Sequence, residues 1–213
     1  GRAAAAQGLT FAPDPSSQAA CTLGGNFAGN SGGPHCLKYG VTLPHVLGAV
    51  MVTPEGDLLE VGGPFDAGAG ADLTALLTGS EGTCGLAVEL TLRLTPLPAQ
   101  WRTFLLSFPT VGHAARMVSA LVAEGTVPAA LELIDAVMLG ALEQAFGIAF
   151  EAGTGAVLLV EIDGAPEALD REEERIRAQA AANEALALET ARDEERRVLL
   201  WKARKHAFGA VGR

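Results

Sequence analysis

The chain has 213 residues, 49% of them hydrophobic and 19% charged, with a formal net charge of −10. That composition describes a globular protein rather than a disordered tail, and the acidic balance argues against a nucleic-acid-binding or anionic-membrane surface, either of which needs a basic patch. No apolar run reaches the roughly 18 to 20 residues of a membrane span, and the start GRAAAAQG lacks the basic-then-apolar pattern of a signal peptide, so a soluble, cytoplasmic protein is expected.

In chain order, the first feature is a glycine-dense run, GGNFAGNSGG, over residues 24–33. LGAVMVT (47–53) and LLEVG (58–62) then flank Pro54-Glu55-Gly56-Asp57, which predicts a hairpin. Asp72 caps a short helix, DLTALLTG, closing at Gly79, where a second glycine loop, GSEGTCG (79–85), begins. LAVELTLRL (86–94) alternates through Leu86, Val88, Leu90, Leu92 and Leu94, the period-2 signature of a half-buried strand, and TPLP (95–98) reads as a linker.

Beyond it, four strand–helix pairs follow. FLLSF (104–108) precedes a helix with a Val111, Ala114, Ala115, Val118, Leu121, Val122 stripe. LELI (131–134) precedes a helix capped by Asp135 and ended by Gly147. AVLLVEI (156–162) precedes a charged helix from about Ala165 to Ala182, whose charges read as a solvated face. ALALET (185–190) precedes a helix from near Asp193 through Trp201 and Arg204. The expected fold is α+β in two domains: 1–98 with a mixed or antiparallel sheet and short helices, and 99–213 with an antiparallel sheet covered by helices.

Between Arg2 and Arg93 the only Lys or Arg is Lys38. If the two glycine loops bind a phosphate-bearing ligand, they must do so mainly through backbone N–H groups, which glycine allows to approach closely. The plainer alternative is a pair of tight turns. However, Gly24, Gly25, Gly29, Gly32 and Gly33 interleave with Asn26, Asn30 and Ser31, more glycine than a turn needs. No Gly-Lys-Ser/Thr ends the run and no GxGxxG is present; GAGAD (68–72) lacks the third glycine, so P-loop and Rossmann chemistry are set aside. Cys21, Cys36 and Cys84 fit neither a disulfide framework nor a CxxC site and read as small buried residues rather than reactive thiols. His35, His45, His113 and His206 show no HExxH or HxH spacing, so no metal site within the chain is expected.

Three runs, FAPDPSSQAACTLGGNFAGNSGGPHCLKYGVTLPHVLG (11–48), DLTALLTGSEGTCGL (72–86) and LLWKARKHAFGAVGR (199–213), resemble the FAD-linked 2-hydroxyacid oxidases and dehydrogenases, with the bacterial glycolate oxidases nearest. The resemblance implies FAD as cofactor and a vanillyl-alcohol-oxidase-like fold. The first domain would be the second half of the FAD-binding domain and the second an incomplete substrate or cap domain. It places Asp14, Ser17 and Thr22 in the strand and turn leading to FAD, and Gly24, Gly25 and Asn26 against pyrophosphate and flavin. Asn30, Gly33, Tyr39 and Gly40 would continue that wall. Glu81, Gly82, Gly85 and Leu86 would meet the adenosine and ribose side, with Cys84 replacing a more usual leucine and loosening the packing. Arg204 aligns with an arginine that reaches the substrate carboxylate; spacing alone favours instead an exposed helix arginine making i,i+4 pairs. The family's PRGGGT-like loop and HxGDGNxH-like histidine motif are missing from the sequence, which implies a central fragment, inactive by itself, with no catalytic residue of its own. Iron–sulfur and flavoprotein subunits of an oxidase complex are the implied partners; a non-catalytic flavoprotein-like subunit is the alternative.

Overall fold

The computed structural model describes residues 1–18, 20–65, 70–147 and 149–211; the side chains of residues 202, 203 and 205–211, His206 included, and the start of GAGAD lie outside the description. The chain separates into two compact units, Gly1–Leu97 and Pro98–Arg213. Both are mixed α and β with antiparallel pairing, the α+β class expected.

The first unit runs α1 (Arg2–Ala5), β1 (Leu9–Thr10), α2 (Leu23–Ala28), α3 (Cys36–Tyr39), a 3-10 turn (Leu43–His45), β2 (Val46–Val52), β3 (Leu58–Gly62), α4 (Leu73–Leu77), β4 (Leu86–Leu92) and β5 (Thr95–Pro96). Pro54 pre-sets the turn between β2 and β3, and Gly56 closes it with φ +92° and its N–H on the Thr53 carbonyl at 3.0 Å. β2 lies between β3 and β4, antiparallel to both. Phe27 from α2 and Leu77 from α4 pack on Val46, Ala49, Met51 and Val61, with Ala87, Leu90 and Leu92 joining from β4.

Two expectations need correction here. Met51 opposes Ala87 while its neighbour Val50 opposes Glu89, so Val88 is an extra, bulged residue. A one-residue bulge swaps the faces of a strand: Leu90 and Leu92 meet the core, whereas Leu86 and Val88 are exposed. TPLP is also more than a linker. Thr10 pairs with Thr95 and Leu9 with Pro96, and the Leu97 N–H donates to the Gly8 carbonyl.

The second unit carries β6 (Gln100–Phe108), α5 (Val111–Ala123), β7 (Ala130–Asp135), α6 (Ala136–Phe146), β8 (Ala156–Gly164), α7 (Pro166–Ala182), β9 (Ala187–Ala191) and α8 (Glu194–Val211), the strand–helix alternation expected. The sheet order is β7-β8-β6-β9, antiparallel throughout. Ala156, Leu158, Val160 and Ile162 share a core with α5 and α7, while Val157 and Leu159 pack with residues of α6 and α8. Helices on both faces explain why β8 reads as a continuous apolar run instead of an alternating one. Asp135 caps α6 by accepting the Met138 N–H at 2.9 Å, and Gly147 ends it at φ +65°.

The charged helix α7 is not wholly solvated. Glu173 is 5% exposed and accepts from Arg102 at 2.9 Å, from Arg177 at 2.8 and 3.0 Å and from Arg192 at 2.8 and 3.0 Å; Arg102 also donates to Asp170 at 2.6 Å. Burial alone would raise the Glu173 pKa, but the Arg177 hydrogen bonds and the charges of Arg192, Arg177 and Arg102 outweigh it, holding the carboxyl below the ordinary glutamate range. The folded state therefore binds this proton less readily than the unfolded chain. Its stabilising contribution is present above about pH 4.3, the ordinary unfolded value, and drains away as pH falls through the lower folded value. Glu173→Gln is expected to cost about 2 kcal/mol at neutral pH and to flatten the acid limb of a Tm-against-pH curve; a limb of unchanged steepness would show that Glu173 does not carry it.

Candidate functional site

The two glycine loops, residues 24–33 and 79–85, are joined by main-chain hydrogen bonds. The Gly79 N–H donates to the Phe27 carbonyl and the Glu81 N–H to the Ala28 carbonyl, both at 2.9 Å, so the second loop closes over the C-terminal end of α2. A Cβ on Gly79 would come within 3.1 Å of the Asn30 Cβ, a tight contact. Thr22 caps α2 by accepting the Gly25 N–H at 2.9 Å; the first N–H groups of a helix have no partner within it, and here they belong to Leu23 and Gly24. Asn26, in the same short helix, is 4% exposed. Its carbonyl accepts the Ser31 N–H, and the Ser31 carbonyl accepts both the N–H and the hydroxyl of the fully buried Thr42.

The glycines sort into two kinds. A Cβ at Gly33 would fall 2.2 Å from the Asp14 carbonyl oxygen and 2.4 Å from its Oδ1, and one at Gly85 would fall 2.5 Å from the Val52 carbonyl oxygen. Gly40, at φ +80°, would meet Pro44 at 3.3 Å, and Gly25 would meet the Thr22 hydroxyl at 3.2 Å. Internal packing accounts for these four. Gly24 is different: a Cβ there would find only the Ala87 carbonyl oxygen, at 4.0 Å, and Gly82 would meet nothing within 4 Å. Open space beside Gly24 leaves backbone accessible from outside the chain. Two predicted non-glycine residues, Asn30 at φ +43° and Glu81 at φ +53°, hold the left-handed conformation, a strain that clusters at ligand-binding loops. Asn30 is steadied by accepting the Leu43 N–H at 2.9 Å.

Asp14 and Ser17 lie not in a strand but in an irregular segment and a turn; β1 ends at Thr10. Asp14 Oδ2 lies 2.6 Å from His35 Nδ1, while Oδ1 is buried with no hydrogen-bond partner among the described residues. The Ser17 carbonyl accepts the N–H groups of Ala20 and Cys21. The Tyr39 carbonyl accepts from His45 Nε2 at 2.9 Å. Leu86 opens β4 and is exposed. Cys84 is also exposed and Cys21 and Cys36 are half-buried, against the expectation of buried thiols; the Cys36 sulfur accepts the Gly33 N–H.

In the second unit, Arg204 lies on α8 with its side chain largely buried, and Nη2 reaches Glu132 on β7 at 3.3 Å. It thus crosses to the sheet, unlike the exposed arginine that helical spacing alone suggests. Glu161 escaped the sequence reading altogether. It is fully buried in β8 and accepts from Thr103 at 2.5 Å, from Arg197 at 2.7 and 2.8 Å and from Trp201 at 2.8 Å. One acid inside AVLLVEI is a detectable signal, because a charge in a doubly buried strand must be paired. The Glu161 hydrogen bonds hold the Arg197 pKa above its usual value, against the opposing effect of burial.

A model of the C-terminal domain of the FAD linked oxidases matches residues 97–213, and one of an FAD binding domain matches residues 1–62. The chain belongs to the FAD-linked oxidases. It is 40% identical over 212 residues to glycolate oxidase subunit GlcD of Escherichia coli K12, covering 100% of this chain and 42% of that protein. Glycolate oxidase subunit GlcD of Bacillus subtilis is 39% identical over 213 residues, covering 100% of this chain and 45% of that protein. A mitochondrial D-lactate dehydrogenase (cytochrome) of Arabidopsis thaliana is 35% identical over 206 residues, covering 95% and 35%. The chain thus spans less than half the length of these relatives. Among solved structures, alkyldihydroxyacetonephosphate synthase shares the fold with a TM-score of 0.77 at 21% identity, covering 99% of this chain and 42% of that one. FAD is the cofactor of this family of oxidoreductases, and no described helix is long and apolar enough to cross a membrane.

Proposed function

We propose that this chain supplies one wall of an FAD site and the substrate-carboxylate arginine of a flavoenzyme that oxidises glycolate or a similarly small 2-hydroxyacid. The observation that carries the reading is the joining of the two glycine loops through the carbonyls of Phe27 and Ala28. The residues fit the cofactor: Gly24 stands open at the capped start of α2, and Asp14 holds a buried carboxylate oxygen without a partner among the described residues. Gly24, Gly25 and Asn26 would hold the pyrophosphate and flavin side, with Asp14, Ser17 and Thr22 leading to it. Asn30, Gly33, Tyr39 and Gly40 would continue the wall, and Glu81, Gly82, Gly85 and Leu86 would meet the adenosine and ribose.

Bound FAD would supply the electron acceptor for converting the substrate Cα–OH to a 2-oxo group. Arg204 would bind and orient the substrate carboxylate through its planar fork of N–H donors. Electrons would leave to iron–sulfur and flavoprotein partner subunits in a cytoplasmic complex; that the GlcD relatives are subunits of glycolate oxidase supports an assembly. The isolated 213-residue chain is proposed not to turn over. His35 Nδ1 faces Asp14, His45 Nε2 faces the Tyr39 carbonyl, and His113 is held through both ring nitrogens by Thr110 and Glu184; none of the three is assigned as the proton acceptor.

The test is turnover of glycolate, both lactate enantiomers and D-2-hydroxyglutarate with an artificial electron acceptor, by the protein in its full reading frame and by the isolated chain. Glycolate or lactate oxidation by the former alone is expected. Turnover by the isolated chain would overturn the inactivity, and oxidation of none of these acids would overturn the substrate class.

A further inference from the structure

Glu161 is costly to bury unless it is paired. A buried ion pair is a weak source of stability but can specify register. The groups that pair with Glu161 show what is being registered. Thr103 sits opposite it on β6 and donates at 2.5 Å, anchoring the carboxylate to the sheet. Further donors come from α8, among them Arg197, with Nε at 2.8 Å and Nη2 at 2.7 Å on the two carboxylate oxygens, and Trp201, with Nε1 at 2.8 Å. Arg197 is further held by Glu194 at 3.3 Å and by the Trp101 ring, 5.5 Å from its guanidinium carbon.

Positions 197, 201 and 204 are i, i+4 and i+7 of one helix and so share a face. At a rise of 1.5 Å per residue, Arg204 lies about 4.5 Å along the axis from Trp201. Two of the three are locked to one carboxylate, which fixes both the rotation of α8 and its translation against β8. The third points its guanidinium at Glu132 on β7, with Nη2 at 3.3 Å.

We propose that Glu161 is a positioning residue for Arg204: through Arg197 and Trp201 it sets the register of α8, and with it the place at which the Arg204 guanidinium meets a carboxylate substrate. This rests on reading Arg204 as the substrate arginine. Glu161 itself touches no substrate. Its effect is on where binding occurs, not on the chemistry.

The experiment uses the protein in its full reading frame and compares Glu161→Gln, Trp201→Phe, Arg204→Lys and the double variant Glu161→Gln/Arg204→Lys. Gln keeps the shape but turns one acceptor into a donor that faces Arg197, and Phe removes only the indole N–H. In Glu161→Gln and Trp201→Phe, bound flavin and kcat are expected to stay within about twofold of wild type, while KM rises about tenfold in the first and about threefold in the second. Binding of the 2-oxo product, followed by calorimetry, should weaken by the same factors. In the Arg204→Lys background, Glu161→Gln should add less than about twofold, because both act through one guanidinium.

Wild-type KM in either Glu161→Gln or Trp201→Phe, or KM effects that multiply in the double variant, overturns the proposal while leaving the Arg204 reading intact. Loss of flavin or kcat at unchanged KM also overturns it, since that is a purely structural role. Wild-type KM in Arg204→Lys overturns the substrate-arginine reading and the positioning role together. If Glu161→Gln does not fold, Trp201→Phe decides alone: a raised KM supports the proposal and an unchanged one rejects it.

Discussion

Gly33→Ala is expected to destabilise the protein by about 3 kcal/mol and to abolish flavin retention. The added methyl would fall 2.2 Å from the Asp14 carbonyl oxygen and 2.5 Å from its carbonyl carbon. These are backbone atoms, so the segment cannot yield by turning a side chain. Relief requires moving Asp14 away from the loop, and with it the 2.6 Å contact to His35, or lifting the Gly33 N–H from the Cys36 sulfur. Urea denaturation and the visible flavin absorbance of the purified protein measure the two effects. Gly24→Ala is the companion: its methyl meets nothing nearer than 4.0 Å, and alanine suits a helix better than glycine. It should leave stability within about 0.5 kcal/mol or improve it, and yet lower flavin content. Full flavin in Gly24→Ala would remove Gly24 from the cofactor wall, and wild-type stability in Gly33→Ala would show that the Asp14 segment moves at little cost.

Arg204→Ala, in the protein in its full reading frame, is expected to lower kcat/KM for the 2-hydroxyacid by about 10²- to 10³-fold, or roughly 3–4 kcal/mol at 1.4 kcal/mol per decade. Truncating the guanidinium leaves a substrate carboxylate to be desolvated without its charge partner. Arg204→Lys should fall between, because an ammonium cannot grip both carboxylate oxygens in the plane. The flavin spectrum should be unchanged in both, because Arg204 is assigned to the substrate carboxylate and not to the cofactor wall. Steady-state kinetics read the effect directly. Unchanged kcat/KM in Arg204→Ala would return Arg204 to the role of a structural partner for Glu132.

What could be read from the sequence was what local chemistry decides. Pro54 and Gly56 specify their hairpin, Asp72 and Asp135 their helix caps, and the apolar run 156–162 a strand, because each depends on residues within a turn or two of one another. Partner choice across the chain could not be read that way. Thr10 finds Thr95 and Asp14 finds His35 through backbone paths that no period encodes. The Val88 bulge is likewise set by pairing with β2, so the alternation of Leu86 to Leu94 pointed two of its leucines and valines the wrong way. Glu173 looked solvated because its helix is crowded with charge, but Arg102 and Arg192, from outside the helix, bury it. In the candidate site, the glycine loops were visible as composition. Which of their glycines serve packing and which leave space appeared only when Gly33 was found against Asp14 and Gly24 beside nothing.

The most direct test of the central claim is anaerobic addition of glycolate, and separately of D-lactate, to the purified protein in its full reading frame while the visible spectrum is recorded. The account predicts a yellow protein whose flavin absorbance bleaches on addition of one of these acids, with the matching 2-oxo acid formed in equal amount. A protein without flavin, or one whose flavin stays oxidised in the presence of both acids, would contradict it.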